Sequence, residues 1–518
     1  MVLNFAIPAQ NTNLAHLTEM RPKQLQTWLG NLQHDNPQVA TQSILASLAA
    51  LNRQPLASDL RLNLLNLHWL AAQGQIDMLQ LQLSGSMLPL SEKADTQAQL
   101  ARDFLIELSY GYKLVLMDDA STTIPKKPKL DITSVIYQLL TIQQRIFGLC
   151  YEMYALIPET LWRETHQAFE YAEVLGISEK GIAAATGNIL NLYQQILLIS
   201  LADPYHLMQG EITLVLELSR ELAPLTHITG NISNTEDYPL FVLDLTTDDP
   251  ATTNKRILTN AEHKPSIRCF DTRPATQQLQ AMLSHVENGG APLEVGLPVY
   301  ATKTSYRTLL HQLIRCWGNP VTRRFNRYIP KYNEVDLGLG VRTIHALLET
   351  HSVEPVKVTP NPAFFTPAPT LRNHYLAKWQ VLNVGAQGQA LRSKINTPSH
   401  IKVGELISMR EHNDGGWQLS IIKWVKSIDA QTLEIGVQFL PPNGSAVEVF
   451  NPLSAIKTMQ PGILFPANSA LNQPNLLLTP HGMYMNNVHI ELITTTSHTI
   501  KPQALIMQTQ SFDLFEIP

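Results

Sequence analysis

The hydrophobic period of this chain changes once along its length, and that change constrains the fold more than any other feature. From about residue 20 to about 225 the apolar residues recur at helical steps. Val135, Leu139, Ile142, Ile146 and Leu149, for example, follow one another at steps of four and three and so share one helix face. Beyond about residue 370 the period is two. "WQVLNV", "GELISMR", "GGWQLSIIKWVKSI" and "TLEIGVQFL" are β-rich runs separated by Gly, Asn and Asp turns. Because the two periods suit different elements, the chain is predicted to be multidomain. An all-α N-terminal helical bundle of roughly six to ten helices precedes a C-terminal antiparallel β-barrel with extra strands. The helical half shows no tetratricopeptide period and reads as a non-repeating bundle.

Between the halves, "PLFVLDLTT" and "PSIRCFDTRP" read as short strands, and "ATQQLQAMLSHVENGG" and "TSYRTLLHQLIRCWG" as helices, which makes a small mixed α/β connector. The expected boundaries are 1–230 for the helical domain, 231–317 for the connector, 318–457 for the barrel and 458–518 for additional strands. A proline-rich insertion near 353–370 rules out helix interior and sheet centre there. A length of 518 residues accommodates about three domains at roughly 100 to 200 residues each.

Charge excludes several functions. The net charge of −5 argues against a chain that coats nucleic acid by phosphate neutralisation, so any bound anion must be met by a local cluster. Three widely spaced cysteines without a C-x-x-C pair suggest neither a disulfide framework nor a zinc site. "MVLNFAIPAQNTN" lacks the pattern of a signal peptide and no long uncharged apolar stretch follows. A cytoplasmic protein without membrane insertion is therefore expected.

The 17 histidines include no H-E-x-x-H, and His481 and His489, which flank a turn, are expected at the surface or half-buried, so no metal is predicted. The adjacent Asp248 and Asp249 read as a turn or helix cap rather than a catalytic pair. With no phosphate loop and no nucleophile elbow, no catalytic residue, no cofactor and no enzyme activity are expected. Trp317, Trp379, Trp417 and Trp424 are placed in or near the barrel, and Trp417 and Trp424 can face one side of a strand only if a bulge separates them.

The local cluster exists. "TRRFNRYIP" places Arg323, Arg324 and Arg327 within a short loop ahead of a strand. Guanidinium groups match phosphate oxygens and the O6/N7 edge of guanine, and their flat faces stack on bases. Two of them four residues apart could grip one compact dianion.

"RRFNR" resembles the R-x-x-x-R motif of the PilZ domain family of cyclic di-GMP receptors. "NVGAQG" at 383–388 resembles the family's second motif, [D/N]-x-S-x-x-G, and "VGELISMR", "WQLSIIKWVKS" and "LEIGVQF" resemble its successive strands. The resemblance implies that Arg323 and Arg327, with Arg324 beside them, contact phosphate and guanine, while Asn383, Gly385 and Gly388 shape the strand turn on which the rest of the nucleotide lies. A bare glycine there would allow the ligand to approach the backbone.

Two departures stand out. Gly385 occupies the family's serine position, and losing such a hydroxyl contact costs about 0.5 to 1.5 kcal/mol. The stretch between the motifs is also long, so either the domain carries an insertion or the arginines belong to a neighbouring element. The expected role is a receptor that relays cyclic di-GMP level to an unidentified protein partner through the helical domain, in motility, pili or exopolysaccharide control by family analogy. The alternative is a degenerate scaffold that binds no nucleotide.

Overall fold

The computed structural model describes residues 2–32, 36–121, 130–182, 187–230, 241–253, 265–318, 326–331, 334–349, 376–393, 400–411, 416–454, 457–469, 472–494 and 496–518. The proline-rich stretch near 353–370 lies outside them, as do Arg323 and Arg324. The chain forms two compact units that divide between residues 322 and 323, apart from the segments 87–89 and 303–305, which group with the second.

The first unit contains helices α1 Pro22–Gly30, α2 Pro37–Asn52, α3 Ser58–Leu83, α4 Glu92–Ser121, α5 Ile132–Glu152, α6 Leu161–Val174, α7 Ile189–Leu201 and α8 Glu211–Leu222. Strands β1 His227–Thr229, β2 Phe241–Asp244 and β3 Ile267–Asp271 then form a small sheet in the order β1-β3-β2, followed by α9 Arg273–Glu287 and α10 Thr304–Gly318. The stripe foreseen on α5 is the buried one, since Val135, Leu139, Ile142, Ile146 and Leu149 all lie in the core.

The expected connector does not build a layer of its own. Phe241, Leu243, Phe270, Leu279 and Leu313 belong to the same hydrophobic core as the helices. Trp317, expected in or near the barrel, is correspondingly a residue of this first-unit core. Its indole N–H donates to the Leu198 carbonyl at 2.9 Å, a satisfied donor inside a dry core.

Asp248 caps α6 from outside its own sequence. Its carboxylate accepts the Thr160 N–H at 2.6 Å and the Arg163 N–H at 3.0 Å, satisfying helix-end donors at the positive end of the helix dipole. Beside it, Lys113 and Glu164 form an ion pair at 2.5 Å with side chains 4% and 3% exposed, and Glu164 also accepts the Ala6 N–H at 2.8 Å. Desolvation lowers the Lys113 pKa, and Glu164 opposes that shift.

The second unit contains a closed barrel of β4 Glu334–Leu339, β5 Ala377–Gly385, β6 Gly388–Ser393, β7 Leu406–Arg410, β8 Gln418–Ser427 and β9 Leu433–Phe439, in the order β4-β5-β6-β9-β8-β7. Helix α11, Val341–Glu349, follows β4. A seven-stranded sheet completes the unit: β10 Ser445–Phe450, β11 Gln460–Phe465, β12 Leu476–Pro480, β13 Ile490–Ile493, β14 Ser497–Ile500, β15 Leu505–Gln508 and β16 Phe512–Glu516.

Period-two alternation assigns each face of this sheet to a different core. Leu476 and Leu478 of β12 and Phe512 and Leu514 of β16 pack with Val341 and Ile344 of α11 and with Leu406, Leu419, Ile421 and Leu440 of the barrel. Leu477 and Phe515 point the other way, into a core with Val447, Val449, Ile490 and Leu492. His345 adds a polar tie from α11, with its Nε2 3.1 Å from the Val447 carbonyl.

The long stretch between the two sequence motifs is therefore not all insertion. It supplies β4, whose Glu334–Leu337 pair with Gln380–Ala377 of β5, and α11, which lies in the core shared with the C-terminal sheet.

Candidate functional site

Burial distinguishes the two sides of the barrel strands. On β6 the residues Gln389, Leu391 and Ser393 are buried and pair with interior positions, whereas Arg392 is outward and forms an ion pair with Glu434 of β9 at 2.5 Å. The alternation then places Gly388 and Ala390 on the outward side with their partners Gln438 and Gly436. On β5 the outward positions facing them are Gly385, opposite Gly388, and Asn383, opposite Ala390. A bulge between Val381 and Asn383 allows Val381 and Val384 both to face inward.

The segment carrying Arg327 lies along this edge. The Tyr328 N–H donates to the Val384 carbonyl and the Val384 N–H donates to the Tyr328 carbonyl, each at 2.9 Å. That antiparallel pairing sets Arg327 opposite Gly385 on the outward side. A Cβ added to Gly385 would lie 3.7 Å from the Arg327 Cγ and 3.5 Å from the Asn326 carbonyl. The exposed Arg327 and the half-buried Asn383, Gly385 and Gly388 thus occupy one outward patch, about 60 positions apart in sequence although neighbours in space.

The Asn383 Oδ1 is buried without a hydrogen-bond partner among the described residues. An orphaned acceptor of this kind costs free energy until a donor reaches it. Arg323 and Arg324, predicted to join Arg327, fall outside the described residues, so only the second motif arginine is located.

The glycines have different physical reasons from the one the sequence suggested. Neither Gly385 nor Gly388 has a positive φ. At Gly388 the close neighbour is β9: an added Cβ would come within 3.0 Å of the Val437 carbonyl carbon, with the oxygen closer still. The missing side chain serves strand packing there before it serves any ligand. Gly385 faces only ordinary contact distances.

The tryptophans separate by role. Trp379 is fully buried in the barrel, and the Trp417 ring lies 4.5 Å beneath the Arg410 guanidinium. The expected bulge falls between Ile422 and Trp424, and the Trp424 indole covers Gly436 where a Cβ would otherwise sit. Sequence reasoning had not picked out Gln438 or Ala390. The signal was available, since "GQAL" and "IGVQF" pair through Gly388 and Gln438, but it needs the β6–β9 register to be seen.

His481 is half-exposed and its Nδ1 lies 3.2 Å from the fully buried Asp513, which also accepts the Gly482 and Tyr484 N–H groups at 2.9 and 3.0 Å. This arrangement locks a turn. Among the described residues no group of three or more His, Cys, Asp or Glu side chains could hold a metal ion, and no helix is long and apolar enough to cross a membrane. Cys150, Cys269 and Cys316 are free and buried; burial pushes the Cys150 thiol up to about 12 and the Cys316 thiol up to about 11.

A six-stranded closed barrel with an arginine segment laid against the β5–β6 corner defines a class, and comparison with known proteins agrees with it. Residues 366–445 match the family model described as the middle PilZ domain of the cyclic-di-GMP receptor FimW. This part of the chain therefore matches a PilZ domain, in a large protein with a helical N-terminal region. Residues 23–234 match the model of the FimW N-terminal domain, and 446–517 match that of the FimW C-terminal β-barrel domain. A curated relative, the cyclic-di-GMP receptor FimW of Pseudomonas aeruginosa, is 19% identical over 589 aligned residues, covering 99% of this chain and 93% of the relative. No solved structure matches the chain.

Proposed function

We propose that this protein is a cytoplasmic, non-enzymatic receptor for cyclic di-GMP that relays occupancy of its barrel to a protein partner. The observation that carries this reading is the Tyr328–Val384 pairing, because it brings an arginine from one motif beside the asparagine and glycines of the other on an outward barrel face. The similarity to a named cyclic-di-GMP receptor over nearly the whole chain supports the choice of ligand. Arg327 supplies the charge-assisted contact to phosphate or to the guanine O6/N7 edge, and Arg323 and Arg324, four and three positions earlier in sequence, are the further candidate contacts. Asn383 offers an acceptor that lacks a partner. Flagella, pili or exopolysaccharide export are the outputs to examine, and the helical domain is the surface for the partner.

One observation favours a second reading, in which the barrel is a scaffold without nucleotide: Gly385 provides no hydroxyl where the motif has serine. Titration calorimetry of wild type and Arg327→Ala with cyclic di-GMP separates the two. Saturable heat from wild type, weakened at least tenfold in Arg327→Ala, is the receptor result, and no saturable heat from wild type is the scaffold result.

A further inference from the structure

The outward row that begins at Arg327 continues past the known motif positions. Across successive strands it runs from Arg327 to Gly385, Gly388 and Gln438. Two adjacent strands therefore present no side chain at all, and the bare floor they make is bounded by a guanidinium on one side and a carboxamide on the other. With strands about 4.8 Å apart, Arg327 and Gln438 stand roughly 14 Å apart at their Cα atoms, with two glycines between them. That span suits a flat purine with its attached ribose and phosphate.

Gln438 is exposed, and its side chain has no hydrogen-bond partner among the described residues. Gly388 brings it close, since a Cβ there would lie 3.3 Å from the Gln438 Cα. On its far side Gln438 pairs with Ile421, which already belongs to the apolar core shared with the C-terminal sheet. The polar part of the row therefore ends at Gln438. In the neighbouring row the orphaned Asn383 Oδ1 is buried and Trp424 covers Gly436, so the bare floor is confined to the Gly385–Gly388 row.

We infer that Gln438 is a further ligand contact, the far wall of the nucleotide site, where its amide holds the polar edge of one guanine. The amide N–H groups donate to O6 while Oε1 accepts from N1–H, a pairing that one carboxamide makes in a plane. This inference rests on the cyclic di-GMP reading, and the experiment is arranged so that the two fail differently. Wild type, Gln438→Ala, Gln438→Asn and the turn control Gln431→Ala are titrated with cyclic di-GMP, with melting temperatures recorded for each.

The expected result is that Gln438→Ala weakens binding about five- to tenfold, the scale of one lost hydrogen-bonded pair. Gln438→Asn should weaken it by less, and Gln431→Ala and all melting temperatures should stay unchanged. If wild type binds and Gln438→Ala binds within twofold of it, Gln438 is not a contact and the receptor reading stands. If Gln438→Ala weakens binding only by lowering the melting temperature, its role is structural and the inference is overturned. If wild type shows no saturable binding, the receptor reading itself fails and takes this contact with it.

Discussion

Gly388→Ala should destabilise the barrel while Gly385→Ala leaves its stability intact, although the two glycines face each other across one turn. At Gly388 the obstruction is backbone: the Val437 carbonyl occupies the space a Cβ needs, and the Gln438 Cα is 3.3 Å away. A flexible side chain could rotate aside, but a carbonyl in the β6–β9 ladder moves only if the ladder moves. That ladder pairs Gly388 through Arg392 with Gln438 through Glu434. Overpacking of this kind costs about 1 to 3 kcal/mol, and an immovable neighbour puts the change near the top of that range. At about 2 to 4 °C per kcal/mol for a unit of this size, the second unit should melt roughly 5 to 12 °C lower. At Gly385 the nearest atom is 3.5 Å away and φ is not positive, so alanine there should be neutral or raise stability by about 0.4 to 1 kcal/mol through the unfolded chain. Scanning calorimetry of the full chain measures both. Equal melting of Gly388→Ala and wild type, or an equal loss in the two variants, would refute the strand-packing account of Gly388.

Gly385→Ser restores the motif hydroxyl in a position with room for it, and should tighten cyclic di-GMP binding about two- to tenfold by calorimetry; unchanged affinity would mean the ligand does not reach β5. Glu164→Ala strands the buried Lys113 ammonium and should cost the helical unit about 3 to 5 kcal/mol, read from its calorimetric transition, with Lys113→Met/Glu164→Leu recovering most of it. Two buried groups in the same unit titrate in opposite senses. Burial raises Glu211 from 4.5 to about 7, so its contribution is full below pH 4.5 and is lost as pH rises through 7. Burial lowers His68 from 6.5 to about 4, so its contribution is full above pH 6.5 and is lost as pH falls through 4. Glu211→Gln should therefore raise the melting temperature above pH 7 relative to wild type and steepen the loss below pH 6.5; superimposable melting profiles would show that Glu211 is not held protonated.

Helices were legible because long stripes survive local exceptions, as the buried face of α5 shows, and because caps such as Asn188, which accepts the Asn191 N–H at 2.8 Å, mark their starts. The barrel strands "WQVLNV", "LISMR" and "IGVQF" were legible for their alternation and their β-branched residues. β4 and β6 were not, because "EVDLGL" and "GQALRS" are diluted by glycine and charge, and only pairing with neighbours makes them strands. The connector was read as separate because local pattern carries no information about which core a strand joins, and Trp317 was misplaced for the same reason. Asp248 was expected as a turn or cap, but the Thr160 N–H that it caps lies 88 residues earlier in the chain, a distance no local motif spans. For the proposed site, the motif resemblance nominated Arg323, Arg324, Arg327, Asn383, Gly385 and Gly388, and strand pairing sets the last four side by side, whereas the candidate Gln438 emerges only from the β6–β9 register.

The arginine segment is the element on which a signal would act, and its energetics can be bounded. Among the described residues, 326–331 is joined to β5 by two backbone hydrogen bonds at Tyr328 and Val384. Little burial supports them, since Tyr328 is 63% exposed and Ile329 83% exposed. At about 1 kcal/mol net for each bond, the docked arrangement is held by an amount comparable to the entropy of ordering a residue or two. Such a segment opens far more often than the barrel ladders, which end only with the unit as a whole. A dianion gripping Arg327 from the face of β5 favours only the docked form, and so can shift the balance by its full differential affinity. Amide hydrogen exchange tests this directly. We expect Tyr328 and Val384 to exchange at least tenfold faster than Leu391 and Ile435 without ligand, and to slow on addition of cyclic di-GMP while the ladder amides hardly change. If Tyr328 is already as protected as Leu391 in the free protein, the segment is a fixed part of the barrel and the ligand has nothing there to order.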